Sequence, residues 1–235
     1  MHTVLEENKK LDDNFAELHA EFPAGPGPFP ALILAPGLRY DMHRPIIAQV
    51  ASHLLSQGFA VFRFNWTFYT ANAAHGQPSA GLTLELQDLK SVVNVVKNDE
   101  RVQQQSISVA GKSFGSIVVW RVFRQDTELK SCILLTPLCA PDTSGEDELS
   151  LVKENYPDAM LENRRILMLA GNADPHCELA TLHQFAADTL AKFNILVLDG
   201  NHSLEIPDED ASVAASKFDR NLHLLATHIQ DFLLE

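Results

Sequence analysis

The five residues Gly111-Lys112-Ser113-Phe114-Gly115 constrain this chain more than any other stretch. They follow residues 106–110, a short β-like run, and precede residues 117–123, which read as a buried helix. A strand that turns into a helix this sharply must hold the turning residue in strained backbone geometry, with its side chain pointing outward. Glycines on both sides are then required, because a Cβ at either place would strike the neighbouring strand or helix. Ser113 is therefore expected at the tip of a nucleophile elbow. The same residues also look like the end of a phosphate-binding loop. That motif needs a glycine where Ser106 stands and a flexible loop after it, whereas Ile107, Val109 and Ala110 favour a strand.

The rest of the chain supplies a context for such a turn. Residues 31–35 are a short apolar run of the kind buried on both faces of a sheet, 132–135 read as another buried strand, and 59–64, 165–169 and 195–198 as further strands. Helical patterns lie between them, at residues 45–57, 82–96, 117–123 and 179–190, and a C-terminal amphipathic helix carries Phe218, Leu222, Leu225, Ile229 and Phe232. Asp41 is the expected cap of the first helix and Gly58 its terminator. Residues 14–22 alternate weakly, as an edge strand would, and 24–28 form a Gly- and Pro-rich turn. Strands alternating with helices predict an α/β fold: a doubly wound, mostly parallel sheet in three layers, joined by right-handed crossovers. With 235 residues, 46% of them hydrophobic, the chain suffices for a single domain spanning residues 1–235. Residues 141–163 are polar and acidic, too few for a helical cap but enough for a short flap.

In open α/β sheets functional groups gather beyond the carboxyl ends of the strands. A serine hydroxyl needs a base to take its proton, and the base needs an acid to orient it. Asp174 lies just after the 165–169 strand, in Gly171-Asn172-Ala173-Asp174-Pro175. His202 lies just after the 195–198 strand, in Gly200-Asn201-His202-Ser203-Leu204. Capping a helix at Pro175 is a second job that Asp174 can hold at the same time. Asp199 is a rival acid, but it is too near His202 in sequence to approach it easily from the far side. A developing oxyanion needs N–H donors. The backbone of Phe114 is one, and that of Leu38, in the Pro36-Gly37-Leu38-Arg39-Tyr40 loop, is the expected second.

The order Ser113, Asp174, His202, with each residue at a strand end, resembles the α/β-hydrolase superfamily, above all its small, nearly capless dienelactone-hydrolase-like serine hydrolases. The likeness runs from about Ala31 to the C-terminus. Leu32-Ile33-Leu34-Ala35-Pro36-Gly37 resembles the oxyanion strand and loop, and Phe62-Arg63-Phe64-Asn65 the strand that follows. Two departures stand out. Many relatives have His-Gly where this chain has Pro36-Gly37, and dienelactone hydrolase itself uses a cysteine where this chain has Ser113, so its substrate is not carried over. The resemblance implies cleavage of a carboxylic ester or thioester through an acyl-enzyme, with a Ser-His-Asp triad and no metal or organic cofactor. A non-catalytic binding or scaffold protein on the same fold, and an acyltransferase, are the alternatives.

Arg39 and Tyr40 are candidates for lining the pocket mouth, and Arg39 for attracting an acidic substrate group. Trp66, with Phe68 and Tyr69, is a candidate wall of the acyl pocket, although ordinary packing explains it equally well. His176, Cys177 and His183 lack a fourth ligand or a recognised metal spacing. The net charge of -13 disfavours nucleic acid and anionic membranes as partners, leaving a small-molecule ester or thioester. Three irregularly spaced cysteines, Cys132, Cys139 and Cys177, and no evident leader or membrane-spanning run imply a cytoplasmic protein.

Overall fold

The computed structural model describes residues 5–10, 17–141 and 150–235. The strands are β1 (Leu5–Lys10), β2 (Glu17–Phe22), β3 (Phe29–Ala35), β4 (Ala60–Phe64), β5 (Val102–Lys112), β6 (Ser131–Leu135), β7 (Arg165–Gly171) and β8 (Lys192–Leu198). They form one eight-stranded sheet in the order β1-β2-β4-β3-β5-β6-β7-β8. From β4 to β8 neighbouring strands are parallel, while β2 runs antiparallel to both β1 and β4. The helices are α1 (Pro45–Ser56), α2 (Thr67–Ala71), α3 (Thr83–Lys97), α4 (Phe114–Gln125), α5 (Ser150–Asn155), α6 (Leu179–Ala187) and α7 (Ala211–Leu234). Among the described residues no helix is long and apolar enough to cross a membrane.

Strand periodicity sorts the core into two slabs. Ala31, Ile33 and Ala35 of β3 face a cluster with Leu89 and Val92 of α3, Val118 and Trp120 of α4 and Leu182 of α6. Leu32 and Leu34 face the opposite cluster, with Ile46, Val50 and Leu54 of α1 and Leu222, Leu225 and Ile229 of α7. Both faces of the sheet are thus covered, which is why the central strands read as continuous apolar runs. The result is the three-layer α/β arrangement expected. The chain leaves β3 toward β4 on one side and returns to β5 on the other. This reversal opens a crevice at the carboxyl ends of β3 and β5, where such sheets place their sites.

Two local expectations differ from what is found, and a third lies partly outside the described residues. The strand in residues 14–22 spans Glu17–Phe22 and is not at the edge, because β1 pairs with it. Residues 14–16 lie outside the described residues. Asp41 does not cap α1. That helix starts from Arg44 with Pro45 in its first turn, and Asp41 instead accepts hydrogen bonds from the His43 N–H and the Tyr69 hydroxyl. The expected flap at 141–163 includes residues 142–149, which are outside the described residues. The rest of it forms α5 and a 3-10 turn at Ala159–Leu161.

Beyond that turn, Glu162 ties the end of α4 to the start of β7. Its buried carboxylate accepts hydrogen bonds from Arg124 and Arg164. Arg164 in turn donates to the carbonyls of Phe123, Asp126 and Leu129. Burial alone would raise the Glu162 pKa. The hydrogen bonds from Arg164 and Arg124 outweigh it and hold the carboxyl at about 2, below its usual 4.5. The stability this group contributes is therefore present above about pH 4.5 and lost as pH falls toward 2. Glu162→Gln should lower unfolding free energy at pH 7 by about 2–3 kcal/mol, by leaving two guanidinium groups under-paired. Urea titrations at pH 7 and pH 3 test this: the gap between wild type and variant should narrow at the lower pH.

Candidate active site

The elbow forms where β5 meets α4. Ser113 has φ 54° and ψ -120°, a left-handed backbone unusual for a residue with a side chain. Its N–H donates to the Leu135 carbonyl of β6, and its carbonyl accepts the N–H of Ser116. A Cβ on Gly111 would lie 2.3 Å from the Gly115 carbonyl oxygen, and one on Gly115 would lie 2.4 Å from that of Pro36. Both glycines are needed for close approach, and the second brings the Pro36 loop onto the elbow. A polar chain runs beneath it. The Leu138 N–H donates to the Tyr156 hydroxyl, which donates to Ser116 Oγ, which donates to the Ser113 carbonyl.

The acid and histidine loops arrive from the ends of β7 and β8. His202 Nε2 is 2.8 Å from Ser113 Oγ, and His202 Nδ1 is 2.8 Å from Asp174 Oδ2. A carboxylate only accepts, so Nδ1 carries the proton and Nε2 offers its lone pair to the serine hydroxyl. Asp174 is fully buried at its side chain and also accepts the His176 N–H on Oδ1, whereas His202 keeps a fifth of its side chain exposed. The structure thus brings together Ser113, Asp174 and His202 from three strand ends. The rival Asp199 instead accepts from Asn172 Nδ2.

Asparagines hold these loops, and their part was not read from the sequence. Asn172 Oδ1 accepts the Gly200 N–H, and Asn201 Oδ1 accepts the N–H groups of Ser203 and Glu205. Buried Asn221 of α7 donates to the carbonyls of Asp199 and Leu204, on either side of His202. A polar residue within the apolar stripe of that helix was the available signal. On the other side of the acid loop, Cys139 and Cys177 pair backbone to backbone, and their buried thiols meet. All three cysteines are unbridged. His176 stacks edge-on against His202, with ring centroids 4.8 Å apart.

The Pro36 loop is held from two sides. Trp66 has no exposed surface, so it does not present a wall to substrate as expected. Its indole N–H donates to the Pro36 carbonyl, and its ring packs edge-on against Phe64 and Phe114. The half-buried Phe68, which contacts Phe114, takes the position nearer the surface. Leu38 and Arg39 are exposed at the turn between Gly37 and Tyr40, which bridge each other. Tyr40 is buried rather than lining an open mouth. Its hydroxyl accepts the Ile46 N–H, and burial pushes its pKa up to about 12.

The second residue of the elbow was also missed. Lys112 is 3% exposed, with its ammonium 4.7 Å from the centre of the Tyr40 ring. Burial lowers its pKa to about 8 from 10.5. Asp174 and Glu205 partly counter the effect, and Arg44 reinforces it.

A family model described as an alpha/beta hydrolase domain matches residues 29–232. Among solved structures, an alpha-beta serine hydrolase homologue from Coxiella burnetii superimposes with a TM-score of 0.68 at 17% identity, covering 95% of this chain and 96% of its own. A lidless serine hydrolase from Xanthomonas campestris gives 0.66 at 19% identity, covering 99% and 93%. Est1E from Butyrivibrio proteoclasticus, with ferulic acid bound, gives 0.67 at 16% identity, covering 97% and 98%.

Replacing the buried amine tests the electrostatics of this floor. A lysine whose folded pKa is depressed costs stability while it is charged, and the cost is relieved as pH rises from about 8 toward 10.5. Lys112→Met should therefore raise unfolding free energy at pH 7 by on the order of 1–3 kcal/mol. It should also abolish the wild-type rise in stability across that pH window. Urea unfolding at pH 7 and pH 10 measures both.

Proposed function

Because this chain belongs to the α/β-hydrolase family, we propose that its hydrolytic role is cleavage of a carboxylic ester or thioester through an acyl-enzyme on Ser113. The observation that carries this reading is the pair of 2.8 Å contacts that place His202 between Ser113 Oγ and the Asp174 carboxylate. Ser113 attacks the carbonyl carbon as His202 Nε2 takes its proton. Asp174 keeps the imidazole in the tautomer with Nδ1 protonated and stabilises the cation that forms. The tetrahedral oxyanion is held by the backbone N–H groups of Phe114, at the start of α4, and Leu38. Collapse expels the alcohol or thiol, which takes the proton from His202. Water then attacks the acyl-enzyme, with His202 again as base, and releases the acid.

The substrate is a small molecule. Phe68 and Phe114, edge to face at 5.9 Å, offer an apolar surface beside the elbow for its acyl group. The exposed Arg39 stands at the turn of the oxyanion loop, where an anionic substituent could reach it.

A fluorophosphonate probe should label wild-type protein on Ser113 and leave folded Ser113→Ala unlabelled. Against a panel of p-nitrophenyl esters and acyl thioesters of graded length, Ser113→Ala should fall to background. Asp174→Asn should lose roughly 10³–10⁴ in kcat with little change in KM. Equal turnover by wild type and Ser113→Ala would refute the assignment.

A further inference from the structure

We propose that Lys112 is a positioning residue for the oxyanion loop: its hydrocarbon stem and its ammonium together fix residues 36–40 against the elbow, and the ammonium part of that hold exists only while the amine is protonated. The inference rests on the reading of Ser113 as nucleophile and of the Leu38 N–H as an oxyanion donor.

The geometry gives Lys112 contact with both ends of the turn that carries Leu38. At one end, the Lys112 Cδ and carbonyl oxygen lie 3.3 and 3.2 Å from where a Gly37 Cβ would stand. A side chain at Gly37 would press on both, so the loop lies close against the strand. At the other end the ammonium sits over the Tyr40 ring. The attraction is between a positive charge and the electron-rich ring face, so a neutral amine loses it. Tyr40 is itself pinned, because its hydroxyl accepts the Ile46 N–H in the first turn of α1. Among the described residues the backbone of the turn between these contacts is closed by a long 3.4 Å hydrogen bond from the Tyr40 N–H to the Gly37 carbonyl. Lys112 is also the immediate neighbour of Ser113, so the same residue fixes the spacing between nucleophile and donor loop.

A methionine would fill this space without a charge to bury. Among the described residues the ammonium makes no ion pair. The charge is therefore retained at a cost to the fold, as functional groups often are. The charged and titratable groups around it come from three loops. Arg44 and Tyr40 lie before α1, Asp174 after β7, and Glu205 after β8 in the loop that carries His202. Arg44 opposes protonation, while the two carboxylates favour it. Tyr40 stays neutral through the range in which the amine titrates near 8.

The test is the pH dependence of kcat and KM between pH 6 and 10 on p-nitrophenyl acetate, which does not itself ionise, with Ser113→Ala as background. Wild-type kcat should fall roughly 3- to 10-fold on the alkaline side as the amine deprotonates, with KM nearly constant. Lys112→Arg, which keeps its charge, should hold its turnover across that range. Lys112→Met should be slower at neutral pH by a similar factor and lack the alkaline limb. As a second readout, NMR of ¹³C-lysine-labelled wild type should show a ring-current-shifted Lys112 ε-methylene that titrates along the limb and reverts in Tyr40→Leu. A Ser113-dependent turnover whose alkaline limb survives in Lys112→Met, or a Lys112 resonance that titrates elsewhere, overturns the proposal alone. Turnover by wild type no faster than Ser113→Ala removes the nucleophile assignment and this one with it.

Discussion

At Ser113 the backbone passes from the last residue of β5 into the first turn of α4 with a positive φ, a conformation that costs a residue with a side chain on the order of 1–3 kcal/mol. The surroundings over-determine it. Gly111 and Gly115 let two backbones meet at distances no Cβ would permit. The Leu135 carbonyl takes the Ser113 N–H, and the Tyr156–Ser116 chain caps its carbonyl. The strain fixes the hydroxyl in one place, so that the other loops have a defined target.

Three loops meet that target because of the sheet order. The reversal between β4 and β5 around β3 sets the Pro36 loop beside the elbow, and β7 and β8, beyond β6, deliver the acid and the histidine. Each loop is short and polar, so its backbone groups need partners. Asn172, Asn201 and Asn221 supply them on the histidine side, and Trp66 supplies one on the oxyanion side. Lys112 lies under the junction of these loops, a buried charge without a partner ion among the described residues. Stability would be better served by an apolar side chain, and this conflict marks the residue as serving the site rather than the core.

The fold was legible because a strand buried on both faces leaves a strong mark: residues 31–35 and 132–135 are apolar without interruption, and 59–64 and 165–169 carry one arginine each, Arg63 and Arg165. The elbow was legible because its glycines and serine answer to a steric demand that few turns make. The positions of Asp174 and His202 followed from the rule on strand ends. What escaped notice depends on pairing and direction rather than on composition. The segment Leu5–Lys10 is polar, Leu-Glu-Glu-Asn-Lys-Lys, and joins the sheet through backbone pairing with β2, which no hydrophobic pattern announces. Trp66 read as a surface for substrate because aromatic residues after a strand can face either way, and only its buried hydrogen bond to Pro36 decides. Lys112 read as the unspecified residue of a motif, since a lysine in sequence looks exposed until a ring is found over it.

The claim that Ser113 becomes acylated is tested most directly by trapping the intermediate. Protein mixed briefly with p-nitrophenyl acetate, quenched in acid and digested, should carry one acetyl group on the peptide containing Ser113. That mass should appear within the first turnover and be absent from Ser113→Ala. An acetyl group found on another residue, or steady turnover with an unmodified Ser113 peptide at every quench time, would contradict the account.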